Sequence, residues 1–322
     1  MRLARDIMGE YDACSPSSGR RPFPMKVGNI HVQRIADIEK LAHPASRGFP
    51  RLSQAQLEAH AKRLGPHFID PLTLEIFLSF HTYVVRHGGR ILLVDACIGN
   101  DKDRPTRPNW HRRKGDFLAK LAAAGVKPED VDVVMCTHLH ADHTGWNTRL
   151  VDGRLVPTFP NARYVMAQVE YEHLRGKAAR DGRPASDHHG HAYTDSVLPV
   201  VESGQAELVS MEHRLAPGIH TEPAPGHTPG GVLLHLEDGG AHAICIGDLV
   251  HHPLQLADPD MPTAYCEDPE AAARLRAAFC RQYADTDTRV LTAHFPAPSA
   301  GWIKRDGTAY RFEFDDSATK AS

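Results

Sequence analysis

The stretch Thr137-His138-Leu139-His140-Ala141-Asp142-His143-Thr144-Gly145 follows directly on the apolar run from Val131 to Cys136. A strand that feeds a loop this dense in ligand-type side chains constrains the fold more than any other feature of the chain. Alternate residues of an extended segment share a side, so His138 and His140 leave the sheet together. Asp142 and His143 come after the turn and can face the same pocket from another direction. Mixed imidazole and carboxylate donors suit zinc, iron, manganese or cobalt better than calcium. The chain carries 22 histidines without a His-rich tract, and neutral imidazole is the commonest protein ligand for such metals.

The remaining pattern is that of an α/β protein. Residues 1–24 are polar and punctuated by Ser-Pro, Ser-Gly and Arg-Pro steps, which reads as a flexible tail. Residues 25–322 are expected to form a single domain. A strand pair is expected over 26–37, a helix over 53–65 with Ser53 as its N-cap, and a hairpin from 75–86 and 90–96 around His87-Gly88-Gly89. Helical spacing recurs over 113–125, 168–176 and 268–283. Further strands are expected at 131–136, 162–167, 207–211, 218–222, 231–236, 241–247 and 289–293, with a last hairpin at Arg305-Asp306-Gly307. The polar stretch 177–195 resembles an insertion or lid. Extended runs with helices between them fit two sheets packed face to face with helices outside, although periodicity alone does not select that architecture.

Composition narrows the function. A formal net charge of −3 offers no basic excess for a phosphate backbone, so neither nucleic acid nor an anionic membrane is expected as a partner. No apolar run spans a bilayer and the N-terminus lacks a signal-peptide core, so a cytoplasmic location is expected. The six cysteines are scattered with no CxxC spacing, and Cys136 and Cys245 fall in apolar runs as buried thiols.

The HxHxDH sequence after an apolar strand resembles the signature of the metallo-β-lactamase-fold hydrolase superfamily. That family requires a later His after a strand, an Asp at the end of another strand and a final His near the C-terminus. Here these are His227 in Pro225-Gly226-His227-Thr228-Pro229-Gly230, Asp248 in Ile244-Cys245-Ile246-Gly247-Asp248 and His294 in Leu291-Thr292-Ala293-His294. Asp95, closing Ile91-Leu92-Leu93-Val94-Asp95, matches a family Asp that orients the metal loop. The resemblance covers roughly residues 75–296. It implies an αββα sandwich of two mixed sheets flanked by helices. It also implies two divalent metal ions, zinc before iron, manganese or cobalt. His138, His140 and His227 would hold one ion, Asp142, His143 and His294 the other, and Asp248 would bridge.

Such a pair lowers the pKa of a shared water and yields a bridging hydroxide for hydrolysis, with Asp142 or Asp248 moving the proton. No Gly-x-Ser-x-Gly elbow supports a serine hydrolase. Within the resemblance, zinc β-lactamases of the commonest class carry Cys at the Asp248 position. Glyoxalase II-like thioesterases end in a basic helical region where this chain ends in a hairpin, Trp302 to Phe314, and the nucleases of the fold need a basic surface. The lactonase and methyl-parathion-hydrolase-like branch remains, with a small ester or lactone as the expected substrate and a homodimer compatible with it. A phosphotriesterase, a non-catalytic metal-binding member and a mononuclear iron oxygenase are the alternatives. Trp110, Trp146, Phe159, Tyr193, Leu254 and Phe295 are candidate pocket walls, with core packing an equal alternative for each. His251 and His252, and His188, His189 and His191 in the lid-like stretch, either touch substrate or, the safer reading, stand as solvated loop residues.

Overall fold

The computed structural model describes residues 25–180 and 191–315. The first of two seven-stranded sheets runs β1 (Met25–Val27), β2 (Ile30–Pro44), β3 (Glu75–His87), β4 (Arg90–Val94), β5 (Val133–Met135), β8 (Arg163–Ala167) and β9 (Ala206–Val209). Its first four strands are antiparallel and the rest join in parallel. The second runs β10 (Arg214–Ala216), β11 (Ile219–Pro223), β12 (Val232–Asp238), β13 (Ala241–Cys245), β14 (Arg289–Leu291), β15 (Ala300–Asp306) and β16 (Ala309–Phe314). It is antiparallel except between β13 and β14. A separate ribbon pairs β6 (Thr148–Val151) with β7 (Arg154–Pro157).

Alternation along the strands explains the layering. Leu92, Val94, Val133, Met135 and Val165 of the first sheet meet Leu234, Leu236, Ala243 and Cys245 of the second in one core between the sheets. The intervening residues face outward. Leu93, Val134 and Tyr164 pack beneath helices α3 (Phe117–Ala123) and α5 (Gln168–Arg180), and Leu233 and Ile244 beneath α7 (Pro269–Tyr283). Both faces of each sheet are therefore covered, so its central strands read as continuous apolar runs. The remaining helices are α1 (Ala45–Gly48), α2 (Gln54–Leu64), the single turn α4 (Ala141–Thr144) and α6 (Leu198–Glu202). Ser53 and Gln56 form a reciprocal cap at α2.

Three local features differ from the sequence expectation. The helix expected over 113–125 begins only at Phe117, because Asn100 holds Gly115 through both its amide groups and Arg113 is drawn to Asp37. Strand β2 continues past 37 to Pro44, its register with β3 shifting near Ala36, Ile38 and Leu41. The β6–β7 ribbon, turned by Asp152-Gly153, was not expected, although that dipeptide is a hairpin signal. Residues 1–24, and 181–190 of the expected lid, lie outside the described residues. Next to the latter, Ala192 and Val197 are buried and Asp195 pairs with Arg104 at 2.5 Å. Cys97, Cys136, Cys245, Cys266 and Cys280 are buried and free. Among the described residues no helix is long and apolar enough to cross a membrane.

His252, far from solvated, lies wholly buried where the chain leaves β13. Its Nε2 donates to the Phe68 carbonyl at 3.1 Å and its Nδ1 accepts from the Leu254 amide at 3.2 Å, so the neutral ring is satisfied. Burial pushes its pKa down to about 3. The unfolded chain thus binds a proton below about pH 6.5 that the native ring refuses, and the stability from this group is lost as pH falls from there toward 3. The slope is about 1.4 kcal/mol per pH unit at most. Urea unfolding of the wild type and His252→Asn across this range should show their stability difference shrinking with acid; a constant difference would contradict the assignment.

Candidate metal centre

Every candidate ligand stands just past the end of a strand, all at one end of the sandwich. His138 and His140 follow β5, and Asp142 and His143 lie in α4. His227 sits between β11 and β12, Asp248 in a turn after β13, and His294 after β14. Gly145 lets α4 lie against the backbone at Ile98, where any side chain would collide.

The donor atoms fall into two groups, His138, His140, His227 and Asp248 in one, and Asp142, His143 and His294 in the other. His227 Nε2 lies 3.2 Å from His138 Nε2, 2.9 Å from His140 Nδ1 and 3.1 Å from Asp248 Oδ2. Asp248 Oδ1 faces the second group, 3.0 Å from His294 Nε2 and 3.2 Å from His143 Nε2, with those two nitrogens 3.3 Å apart. Asp142 Oδ2 lies 3.7 Å from His294 Nε2. One carboxylate thus presents one oxygen to each group.

The outer ring nitrogens are tied down. His143 Nδ1 meets Asp95 Oδ2 at 2.9 Å, and His294 Nδ1 meets the Ser79 carbonyl at 2.9 Å. In the neutral ring, with Nδ1–H donated outward, Nε2 of each points a lone pair inward. Lone pairs aimed at one another across about 3 Å repel unless a cation lies between them, and about 3.3 Å is the edge of a tetrahedron of donors around zinc. Asp248 Oδ1, although buried, has no aligned hydrogen bond. The donor set therefore fits divalent metal ions of the zinc type.

Electrostatics point the same way. Burial opposes protonation of these imidazoles, yet Asp248 outweighs it at His143, at His294 and at His227, which is raised to about 10. At His138 burial and the neighbouring His143 prevail, and the pKa falls well below the usual range. Burial raises Asp248 in turn, but His294, His143, His227 and His251 hold it well below the carboxylate range. An ionised carboxylate at this depth requires compensating positive charge.

Two carboxylates missed in the sequence or assigned there only by resemblance brace the loops. Asp95 leaves β4 with a left-handed φ of 61° and accepts from the Thr137 amide at 2.8 Å while holding His143. Glu170, buried at the start of α5, accepts from the Leu139 amide at 3.1 Å and the Gly230 amide at 2.9 Å, joining the His138–His140 loop to the His227 loop. A Glu three residues past a strand carries no sequence signal of that role.

The cages open into a cavity of about 370 Å³ lined by His140, Asp142, His227, Asp248 and His294. Leu41, Leu78, Phe80, Trp110 and Tyr265 form an apolar wall, with His43, Arg47, Arg107 and His251 among the polar lining. Of the expected pocket residues, Trp110 and His251 are there. Trp146 and Phe159 are instead in the core beneath α3 and α5, Trp146 stacked on Phe117 at 5.3 Å, and Tyr193 packs against that core. Leu254 and Phe295 are buried in other clusters, and His252 holds Phe68. His188 and His189 lie outside the described residues, and His191 is half-buried. His251 is buried, its Nε2 3.3 Å from Asp248 Oδ2, and neither ring nitrogen has an aligned hydrogen bond. Burial lowers its pKa to about 4, so it is neutral.

The profile of the Metallo-beta-lactamase superfamily matches residues 79–297. An N-acyl homoserine lactonase of Bacillus sp is 26% identical over 122 residues, 37% of this chain and 39% of the relative, so the match spans about two fifths of that protein's length. Among solved structures, AidC, a dizinc quorum-quenching lactonase in complex with a product, superposes with a TM-score of 0.73 at 21% identity, covering 91% of this chain and 96% of AidC. The hydrolase AbOPH, of the beta lactamase superfamily, gives 0.75 at 23% identity, covering 91% and 98%. These two likenesses establish the fold.

Two substitutions probe the braces. Asp95→Asn turns an amide toward His143 Nδ1 and should weaken metal affinity about 10- to 100-fold in a chelator competition; unchanged affinity would remove Asp95 from the support of the site. Glu170→Gln keeps one acceptor but sets an NH₂ against a backbone N–H, and should cost about 1.5–3 kcal/mol in urea unfolding.

Proposed function

Because the chain belongs to the metallo-beta-lactamase superfamily, we propose that it is a metal-dependent hydrolase of a small lactone or carboxylic ester, with an N-acyl homoserine lactone as the first substrate to test. The observation that carries this reading is the two-group cage sharing Asp248 and opening into a cavity with an apolar wall. In this reading His138, His140 and His227 would hold one ion and Asp142, His143 and His294 the other, with Asp248 offering an oxygen to each group. A pair of divalent ions, zinc suiting the donors best, would supply Lewis acidity to the ester carbonyl and acidify water at neutral pH.

The chain's own residues do the rest. Leu41, Leu78, Phe80 and Trp110 take the acyl portion out of water, leaving the polar ester at the cage. His251, neutral and with its single N–H on Nδ1, donates a hydrogen bond to the carbonyl oxygen as charge grows on it. Asp142, lining the cavity, receives the proton released by the attacking water at Oδ1, the oxygen not directed at His143 and His294, and returns it to the departing alkoxide. Ring opening of a lactone needs no further group.

Metal-loaded wild type and the His140→Ala and Asp248→Ala variants should be assayed on acyl-homoserine lactones, aryl esters and phosphotriesters. Lactone or ester turnover is expected in the wild type, with kcat/KM at least about a thousandfold lower in each variant and an unchanged far-UV circular dichroism spectrum. Normal turnover by either variant would contradict the reading. Turnover confined to phosphotriesters would reassign the substrate.

A further inference from the structure

The second sheet carries another group of ligand-type side chains, sharing no residue with the cage. His220 and Glu222 on β11, His235 and Glu237 on β12, and His242 on β13 fall on its outer face, the face on which Leu233 and Ile244 pack beneath α7. Register brings them together, with His220 opposite His235 and Glu237 opposite His242. The three imidazoles stack, His220 on His235 at 4.8 Å and 9°, and His235 on His242 at 5.2 Å and 13°. The middle ring, His235, is 4% exposed, and the two carboxylate side chains stand about half exposed above it.

The hydrogen bonds fix which atoms are donors. Glu222 Oε2 lies 2.8 Å from His235 Nε2 and takes its proton, leaving a lone pair on Nδ1. A carboxylate that orients an imidazole through its outer N–H is the usual support of a metal-ligating histidine. His242 Nε2 lies 3.0 Å from that Nδ1, and Glu237 Oε1 is 3.7 Å from the same Nε2. Donor atoms of His220, His235 and Glu237 all lie within 4.8 Å of one another. Three stacked imidazoles on a sheet face bury polar surface where apolar side chains would pack at no such cost.

We propose that His220, His235 and Glu237, with His242 beside them, form a further binding site for one transition-metal ion of intermediate softness, Zn²⁺, Ni²⁺ or Cu²⁺, on the outer face of the second sheet. Two or three imidazoles and a carboxylate favour these ions over calcium or magnesium. Binding would replace the hydrogen bond between His235 and His242 with bonds from their lone pairs to the ion. The ion would tie together β11, β12 and β13, the strands that lead into His227 and Asp248.

Zn²⁺ itself is the probe. Metal-loaded wild type, His220→Ala and Glu237→Gln should be dialysed against micromolar free zinc at pH 7.5 and the bound zinc counted by atomic emission. The wild type is expected to hold one zinc per chain more than His220→Ala, with Glu237→Gln binding the extra ion about tenfold more weakly. Zinc added beyond saturation of the cage should raise the thermal midpoint of the wild type and leave that of His220→Ala unmoved. Both altered side chains are at least partly exposed, and turnover at the cage should be the same in all three proteins. Equal zinc content in wild type and His220→Ala, or an equal thermal shift in both, would overturn the proposal.

Discussion

Asp248 is an ionised carboxylate almost completely shut away from water, and the surrounding structure is organised by what that requires. Removing a carboxylate from water costs several kcal/mol unless opposite charge and oriented dipoles replace its hydration. Here five imidazoles converge on it, His138, His227 and His251 at Oδ2 and His143 and His294 at Oδ1. The imidazoles alone are a poor answer, because their inner nitrogens also crowd one another at 2.9 to 3.3 Å. Protonating all of them would set like charges in contact, and protonating none would leave the carboxylate bare. Cations of higher charge between the groups resolve both conflicts, which is why the proposed metal sites follow from the geometry of this one residue.

The sandwich makes that concentration of polar groups tolerable. Each sheet packs apolar side chains on both faces, and loops at the strand ends are where unpaired side chains can gather without opening the core. Loops are also where position is least secure, and three devices restore it. Asp95 fastens Thr137 and His143 to the end of β4, Glu170 fastens Leu139 to Gly230, and His294 exchanges two backbone-directed bonds with Ser79 on β3. Each device links segments far apart in sequence, so the geometry of the cage depends on the whole sandwich having formed.

This dependence explains what could be read from the chain and what could not. The strand order of alternating apolar runs, the Ser53 cap and the hairpin at His87-Gly88-Gly89 are local signals, and the corresponding elements form within a few residues of their expected bounds. The seven candidate ligands could be named together because the HxHxDH stretch resembles a family signature that expects a later His, Asp and His in a fixed order, and the chain supplies them. The pocket wall could not. Trp146, in the turn after α4, and Phe159, past the β6–β7 ribbon, belong to the core, and no periodicity reports which way a residue between elements points. Glu170 was invisible for the complementary reason. Its partners are backbone amides 31 and 60 residues away, and a backbone amide has no sequence identity.

His251 and His252 show how little separates a buttress from a reactive group. Both are buried neutral imidazoles on the same loop, with pKa values lowered by burial to about 4 and about 3. His252 has spent both ring nitrogens on backbone groups, so it can only hold the fold. His251 has an aligned hydrogen bond on neither, and it lines the cavity beside Asp248. A buried polar ring with no aligned hydrogen bond in the folded chain costs about 1–3 kcal/mol. A carbonyl oxygen entering the cavity would recover that cost, and would do so most strongly when it bears negative charge. That preference for the transition state over the bound ester is what a catalytic group has to provide, and it is the reason His251, and not its neighbour, is assigned to the substrate.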